Sequence, residues 1–97
     1  MKAKDIKRGI APRQFYRHEL PNAPEWKPGA SGWQSGGKCV FHDEKRAGSF
    51  RVNLDSGAFC CFACGARGGD VLDFVKLRRG LGFLGAVAWL GEAWGVF

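Results

Sequence analysis

The residues of this chain that are best suited to chemistry are four cysteines and a histidine, grouped in the stretch CVFHDEKRAGSFRVNLDSGAFCCFACG at residues 39–65. Thiolate and imidazole groups are the ligands that zinc prefers in structural sites. A tetrahedral zinc ion needs only four of these five side chains. Zinc ribbons hold the metal with two short knuckles, each carrying two ligands about two residues apart. The stretch therefore predicts a zinc site, and spacing must select its ligands.

The spacing selects four of the five side chains. Cys39 and His42 form one C-x2-H pair. The second pair can begin at Cys60 or Cys61, and only Cys61 gives the C-x2-C spacing, with Cys64. Neighbours on a strand point to opposite faces, so one of the two adjacent cysteines faces the metal and the other does not. We therefore predict that Cys39, His42, Cys61 and Cys64 bind one Zn²⁺ ion.

The ligand count also predicts the kind of zinc site. A catalytic zinc keeps an open coordination position, whereas four protein ligands close the shell, which favours a structural zinc. Cys60 is then either a reactive thiol or a small packing residue. A chain of 97 residues buries only about two-thirds of the surface that its unfolded form exposes, so a metal staple is expected.

Composition and charge limit where the protein can be located and which partners it can bind. The N-terminus is charged and has no apolar core of a secretory signal, which predicts a cytoplasmic protein without disulfides. The apolar run at residues 81–97 is shorter than the roughly 20 residues of a spanning helix and contains Glu92, so no membrane partner is expected. A formal net charge of +6 favours a polyanion such as nucleic acid.

Two strands are predicted to bring the knuckles together. Residues 49–54 alternate between apolar and polar side chains, which is typical of a half-buried strand. Residues 55–57 read Asp-Ser-Gly, a turn sequence, and residues 58–61 are expected to return antiparallel. A further short strand is predicted at residues 32–35.

Helices are predicted on both sides of the ribbon. Residues 1–28 read as a basic arm with a short helix beginning at Pro12, and residues 29–97 as the zinc-ribbon domain. A second helix is expected to run to Arg79 and to end at Gly80, with Asp70 as its N-cap or as an acid of its first turn. A third is expected over residues 83–94, with these side chains on one face: Phe83, Val87, Leu90 and Trp94.

Four motifs in order carry a family resemblance. CVFHDEK at residues 39–45, SFRV at 49–52, FCCFACG at 59–65, and Gly69-Asp70 followed by Phe74 resemble the zinc-binding domain of bacterial DnaG-type DNA primases. That family's pattern runs C-P-F-H-x-E-K, P-S-F-x-V, Y-x-C-F-G-C-G and G-D-x-x-x-F. The resemblance implies the same four zinc ligands and a small α+β zinc ribbon, an antiparallel sheet flanked by helices.

The resemblance also implies a function. In primases this domain helps to engage single-stranded template and to select the starting site, while a separate acidic domain makes the primer. The nine acidic residues here are scattered, so we expect no catalysis by this chain alone. The sequence departs from the family pattern at Val40, Gly48, Ala63 and Gly85, none of them a ligand. These departures suggest a divergent member, such as one carried by a plasmid, phage or other mobile element.

Single-stranded DNA is held by cations on phosphates and by aromatic faces on bases. Pleat alternation aims Arg51 away from the apolar side of its strand. The full set of predicted DNA contacts is Arg51, Lys38, Lys45, Arg46, Arg67, Trp33 and Phe59. Both aromatic residues have an alternative role in the core. Lys76, Arg78 and Arg79 are either a second DNA surface or the solvated face of a helix.

The sequence supports three hypotheses about the function. The first is a free-standing single-stranded DNA-binding module in replication, working with a primase catalytic subunit or a replicative helicase. The second is the N-terminal fragment of a full primase. The third is a transcription or protein adaptor that docks through its Trp-rich C-terminus. No small-molecule substrate is expected, because GARGGD at residues 65–70 lacks the lysine of a phosphate-binding loop.

Overall fold

The computed structural model describes residues 9–43 and 46–95, and this part of the chain forms a four-stranded antiparallel sheet with three helices. The elements in chain order are α1 (Pro12–Glu19), β1 (Trp33–Ser35), β2 (Phe50–Asn53), β3 (Phe59–Cys61), β4 (Arg67–Gly68), α2 (Val71–Arg79) and α3 (Phe83–Trp94). The strands lie in sequence order across the sheet. The predicted small α+β fold is confirmed.

The β2–β3 hairpin forms as the alternation predicts. Phe50 and Val52 are buried and Arg51 is exposed. Arg51 pairs with Cys60 in the antiparallel register. The turn is closed by the side-chain oxygen Oδ1 of Asn53, which accepts hydrogen bonds from the backbone N–H groups of Asp55 and Ser56 at 2.9 and 3.0 Å. Strand β4, which no sequence pattern indicated, is only two residues long and pairs with β3.

Helix α2 begins and ends at the predicted residues. The Asp70 carboxylate caps it by accepting a hydrogen bond from the Asp73 N–H at 2.9 Å, which satisfies one of the N–H groups that a helix N-terminus leaves unpaired. Gly80 ends the helix in the left-handed region at φ 66°, where a residue with a Cβ is strained. Local sequence signals therefore set both ends of α2.

Helix α3 has the predicted bounds but buries a different face. Ala86, Val87, Leu90 and Gly91 are buried, whereas Phe83 is 50% exposed. The predicted stripe was therefore wrong at Phe83. Apolar residues occur all round this helix, so its sequence does not define one stripe. Small residues, Ala86 and Gly91, lie on the buried side and leave room for close packing.

The core is a set of aromatic rings around Phe74 of α2. The ring centroids of Phe15, Tyr16, Phe41 and Phe59 lie 5.5, 5.2, 5.3 and 5.4 Å from that of Phe74, with steep interplanar angles. Edge-to-face pairs of this kind contribute about 0.5–1.5 kcal/mol each beyond the burial of their area. Phe74 thus joins α1, the first zinc knuckle and the sheet.

The predicted arm contributes to this same core. Ile10, Phe15, Tyr16 and Leu20 are buried in it. Farther along, the indole N–H of Trp26 donates to the Ser35 carbonyl of β1 at 2.9 Å. These residues of the predicted arm therefore contact the rest of the domain, and the boundary at residue 28 stays a prediction. Residues 1–8 of the predicted arm lie outside the described residues.

Tyr16 is the single tyrosine of the chain, and it makes a buried polar contact between α1 and the β2–β3 turn. Its hydroxyl donates to the Gly57 carbonyl at 2.5 Å. Burial, and then the negative charges of Asp70 and Asp73, raise the pKa of Tyr16 above its ordinary value. The folded state therefore keeps the phenol protonated at a pH where the unfolded chain ionises it.

We expect Tyr16→Phe to lower the free energy of unfolding by about 1–3 kcal/mol near neutral pH, because the Gly57 carbonyl loses its partner. The wild-type stability should also fall as pH rises past about 10, since only the unfolded state releases the proton there. The variant should lack this tyrosine contribution. Urea unfolding across that pH range measures both effects, with Gln14→Ala, exposed on the same helix, as control. Phenolate absorbance appearing in the still-folded wild-type protein near pH 10 would contradict the account.

Candidate metal centre and nucleic-acid interface

The four predicted zinc ligands lie together. Cys39 and His42 come from the segment between β1 and β2, and Cys61 and Cys64 from the end of β3 and the turn after it. Their ligand atoms all lie within 4.8 Å of one another. The Sγ atoms of Cys39 and Cys64 are 3.9 Å apart, as are Cys61 Sγ and His42 Nδ1. Zinc–sulfur bonds of about 2.3 Å in a tetrahedron require sulfur separations of about 3.8 Å. The group can therefore hold one zinc ion.

The second knuckle is shaped by a tight turn after β3. The Gly65 N–H donates to the Cys61 carbonyl at 2.9 Å. Gly65 has φ 80°, a conformation that glycine adopts without strain. Cys61 is buried at the site, while Cys60 is half-buried and points to the other face of the sheet. This is the orientation that strand alternation predicted for the two adjacent cysteines.

The thiols are in different electrostatic environments. Burial raises the pKa of Cys39 to about 12; the Phe41 N–H, which donates to its sulfur, acts the other way, and the neighbouring thiols of Cys61 and Cys64 add to the increase. At Cys61 burial also opposes ionisation, but donors that include the backbone N–H groups of Cys64 and Ala63 lower the pKa overall. A divalent cation would stabilise all three thiolates at once.

Comparison with known proteins places the chain. The family model described as the CHC2 zinc finger, the DnaG zinc ribbon, matches residues 29–96. The chain belongs to this family. CHC2 denotes the cysteine, histidine and two further cysteines that the site contains. The family resemblance that the four motifs indicated is confirmed.

The relatives of this CHC2 zinc finger are much longer proteins. It is 45% identical over 60 residues to the DNA primase of Lactococcus lactis, a match that covers 62% of this chain and 9% of that protein. The DNA primase of Clostridium acetobutylicum is 37% identical over 62 residues, covering 64% of this chain and 10% of that protein. The chain thus spans about a tenth of the length of these relatives. They offer no support for a plasmid or phage origin, which stays a prediction.

A solved structure shares the fold. The Aquifex aeolicus primase, described as containing zinc-binding and RNA polymerase domains, matches with a TM-score of 0.74 at 24% identity. The match covers 100% of this chain and 23% of that one. No helix in the described part of the CHC2 domain has the length and apolar character needed to cross a membrane.

The sheet face opposite the core carries cations and aromatic rings. The register places Ser35, Arg51, Cys60 and Arg67 in one row across the four strands. Two exposed rings flank the row, Trp33 at 50% and Phe62 at 78% exposure. An open cavity of about 430 Å³ is lined by Trp33, Arg51, Cys60 and Phe62. We call this surface the outward face.

The predicted DNA contacts divide into three groups. Trp33, Arg51 and Arg67 lie on the outward face, and Lys38 and Arg46 are exposed near the knuckles in the chain. Phe59 is only 1% exposed and stacks at 5.6 Å on Phe41 inside the core. It cannot stack on a base, so its alternative role in the core replaces the predicted contact. Lys45 lies outside the described residues.

Sequence reasoning missed Phe62 as a surface ring. Cys61 faces the metal, so alternation along β3 places the residue after it on the side of Cys60, and this signal could have found Phe62.

The cations on α2 have different surroundings. Arg79 forms an ion pair with Glu19 at 3.3 Å and lies 4.6 Å from the Trp89 ring centroid, which indicates a structural role. Lys76 shares a shallow groove with Arg67 at the β4 edge.

The site generates a prediction about metal and folding. Removing zinc with a chelator should unfold the domain, because apparent zinc-binding free energies of about 10–16 kcal/mol exceed the stability of a small domain. Cys61→Ser should behave like the chelated protein, and Cys60→Ser should fold and keep one zinc. Circular dichroism and zinc content by mass spectrometry measure both. Loss of the metal in Cys60→Ser together with its retention in Cys61→Ser would refute the ligand assignment.

Proposed function

We propose that this CHC2 zinc finger is a single-stranded DNA-binding module of a replication primase and that it contacts template through the outward face. The observation that carries the proposal is the exposed Arg51 guanidinium lining one cavity with the exposed rings of Trp33 and Phe62. A guanidinium neutralises a phosphate, and rings at its sides offer stacking surfaces for bases. The sheet register places Ser35 and Cys60 beside Arg51, and neither is acidic.

The row of residues suggests the direction of the bound strand. Arg51 and Arg67 lie on β2 and β4, with Cys60 between them. Adjacent strands are about 4.8 Å apart, which puts these two backbone positions about 10 Å apart. A DNA strand that crosses the β-strands would meet one guanidinium after the other. Lys76, beside Arg67 at the sheet edge, would continue this track.

The zinc supports binding without taking part in a reaction. Four protein ligands close the coordination shell, so the metal's role is to fix the ends of the β2–β3 hairpin. We propose that this domain has no catalytic activity alone. A primase catalytic subunit or a replicative helicase in the cytoplasm would be its partner, and the chain would be either a free module or a part of a longer primase like its relatives.

A protein-binding role is the second candidate. Leu84 at 80% exposure, Phe83 at 50% and Leu77 at 49% leave apolar side chains on the helical side of the domain. The Trp-rich C-terminus that sequence reasoning suggested for docking fits less well, since Trp89 and Trp94 are partly buried against the core. A clear preference for duplex DNA, or no DNA binding by the folded protein, would favour this adaptor role.

We expect Arg51→Ala to weaken binding to a single-stranded oligonucleotide several-fold while zinc content and melting temperature stay nearly unchanged. The logarithmic salt slope should become shallower by roughly 0.7, the value for one phosphate contact on a single strand. Arg78→Ala is the matched control, because Arg78 is exposed on the helix behind the sheet. Fluorescence anisotropy across a salt series measures both quantities. Equal losses in the two variants would exclude the outward face as the specific surface.

Phe62→Ala should produce a different signature. Loss of one stacked base costs about 1–3 kcal/mol, roughly a 5- to 150-fold loss of affinity. The salt slope should stay at the wild-type value, because no phosphate contact is removed. The same anisotropy titration separates the two variants. An unchanged affinity in Phe62→Ala would show that the ring is not a stacking surface.

A further inference from the structure

A second open cavity lies away from the zinc site, between α1, the loop that follows it and the end of α3. Its volume is about 680 Å³, within the range of roughly 300–1,000 Å³ that is typical of small-molecule sites. Its lining includes Arg13, Arg17, His18, Glu25, Trp26 and Trp94. Of these, only Trp94 falls inside the residues that the CHC2 family model matches, 29–96.

Two guanidinium groups are held in place at this cavity. Arg13 Nη2 donates to the carbonyls of Lys27 and Ala30 at 3.0 and 2.8 Å. Arg17 Nη2 donates to the Pro24 carbonyl at 2.8 Å, and its guanidinium lies 4.3 Å from the Trp26 ring centroid. Carbonyl acceptors orient a guanidinium without neutralising its charge. Each arginine has five N–H donors, so donors remain for an anion.

The cavity combines this charge with aromatic surface. Two guanidinium groups and one carboxylate, that of Glu25, line it together, so these three groups carry a net charge of +1. Trp94 is only partly buried, and the His18 ring packs against it edge-on at 5.7 Å. Arg17 is exposed and can present the plane that does not face Trp26. Guanidinium planes and aromatic rings are both surfaces on which bases stack.

We propose that this cavity binds a nucleotide, with the phosphate on the guanidinium groups of Arg13 and Arg17 and the base against the Trp94–His18 and Arg17 surfaces. An inorganic anion would use only the cations, and an apolar ligand would leave the cations without a counter-charge. A phosphate joined to an aromatic base uses both parts of the lining. The proposal does not depend on DNA binding at the outward face.

The nucleotide has two possible sources, a free mononucleotide or one residue of a nucleic-acid strand. The tryptophan side chains report which surface a ligand occupies, because Trp33 lies on the outward face and Trp26 and Trp94 line this cavity. Indole N–H signals in ¹⁵N-labelled, zinc-loaded protein report each location. We expect AMP to shift the Trp26 and Trp94 signals and to leave that of Trp33 in place. Titration with an oligonucleotide that lacks terminal phosphates then shows whether an internal nucleotide of a strand also reaches the cavity.

Two isosteric substitutions at exposed lining positions test the charge requirement in opposite directions. Glu25→Gln removes the carboxylate and should tighten AMP binding about threefold, and Gln14→Glu adds one and should weaken it about threefold, as expected for one unit charge several ångströms away in a solvated site. Both residues are exposed, so zinc content and melting temperature should not change. Arg51→Ala should leave AMP affinity at the wild-type value.

Adenosine and inorganic phosphate complete the experiment, and each should bind at least tenfold more weakly than AMP. The proposal is overturned if AMP leaves the Trp26 and Trp94 signals unmoved, if adenosine binds as tightly as AMP, or if Glu25→Gln and Gln14→Glu change the affinity in the same direction. Loss of AMP binding in Arg51→Ala would also overturn it, by showing that AMP occupies the outward face. Failure on any of these grounds leaves the DNA-binding proposal to its own tests.

Discussion

Three thiols and an imidazole whose ligand atoms lie within 4.8 Å of one another form the constraint on which the rest of this domain depends. Thiolates packed this closely repel one another, and burial already raises the pKa of Cys39. A divalent cation offsets the repulsion between the thiolates, and by binding all four ligands it cross-links the two segments that carry them. The cross-link joins the chain before β2 to the chain after β3, which fixes both ends of the central hairpin.

The rest of the fold completes the support of that hairpin. On its inner side, Phe50, Val52 and Phe59 enter the core, where Phe74 contacts rings from α1, the first knuckle and the sheet. Metal and aromatic core therefore restrain the same strands from different directions. A chain with 15 glycines loses much conformational entropy on folding. The metal site and the aromatic core together offset this loss by stabilising the same strands.

Short-range rules predicted much of this structure. Ligand spacing gave the metal site, and the period of two gave the exposed Arg51 and the opposite orientations of Cys60 and Cys61. The caps Asp70 and Gly80 gave the bounds of α2. Each of these signals acts over a few residues, so the sequence carries it directly.

What sequence reasoning could not predict depends on contacts between distant segments. The buried face of α3 is set by its neighbours, because its own apolar residues point in every direction. Strand β4 is two residues long and exists only through pairing with β3. The cavity between α1 and Trp94 joins residues about eighty positions apart in the chain. Phe59 is different, since the alternation that placed Cys61 inward also places Phe59 inward.

The alternation of β2 and β3 has an evolutionary consequence. Inward positions are committed to the metal and the core, whereas the side chains of Arg51, Cys60 and Arg67 form a row on the outward face. Under the proposed DNA-binding role, a substitution in that row would alter recognition without a matching loss of stability, so the two properties could be selected separately. On the same proposal, members of the family could diversify the nucleic-acid sequences they prefer while one metal-centred scaffold is inherited unchanged.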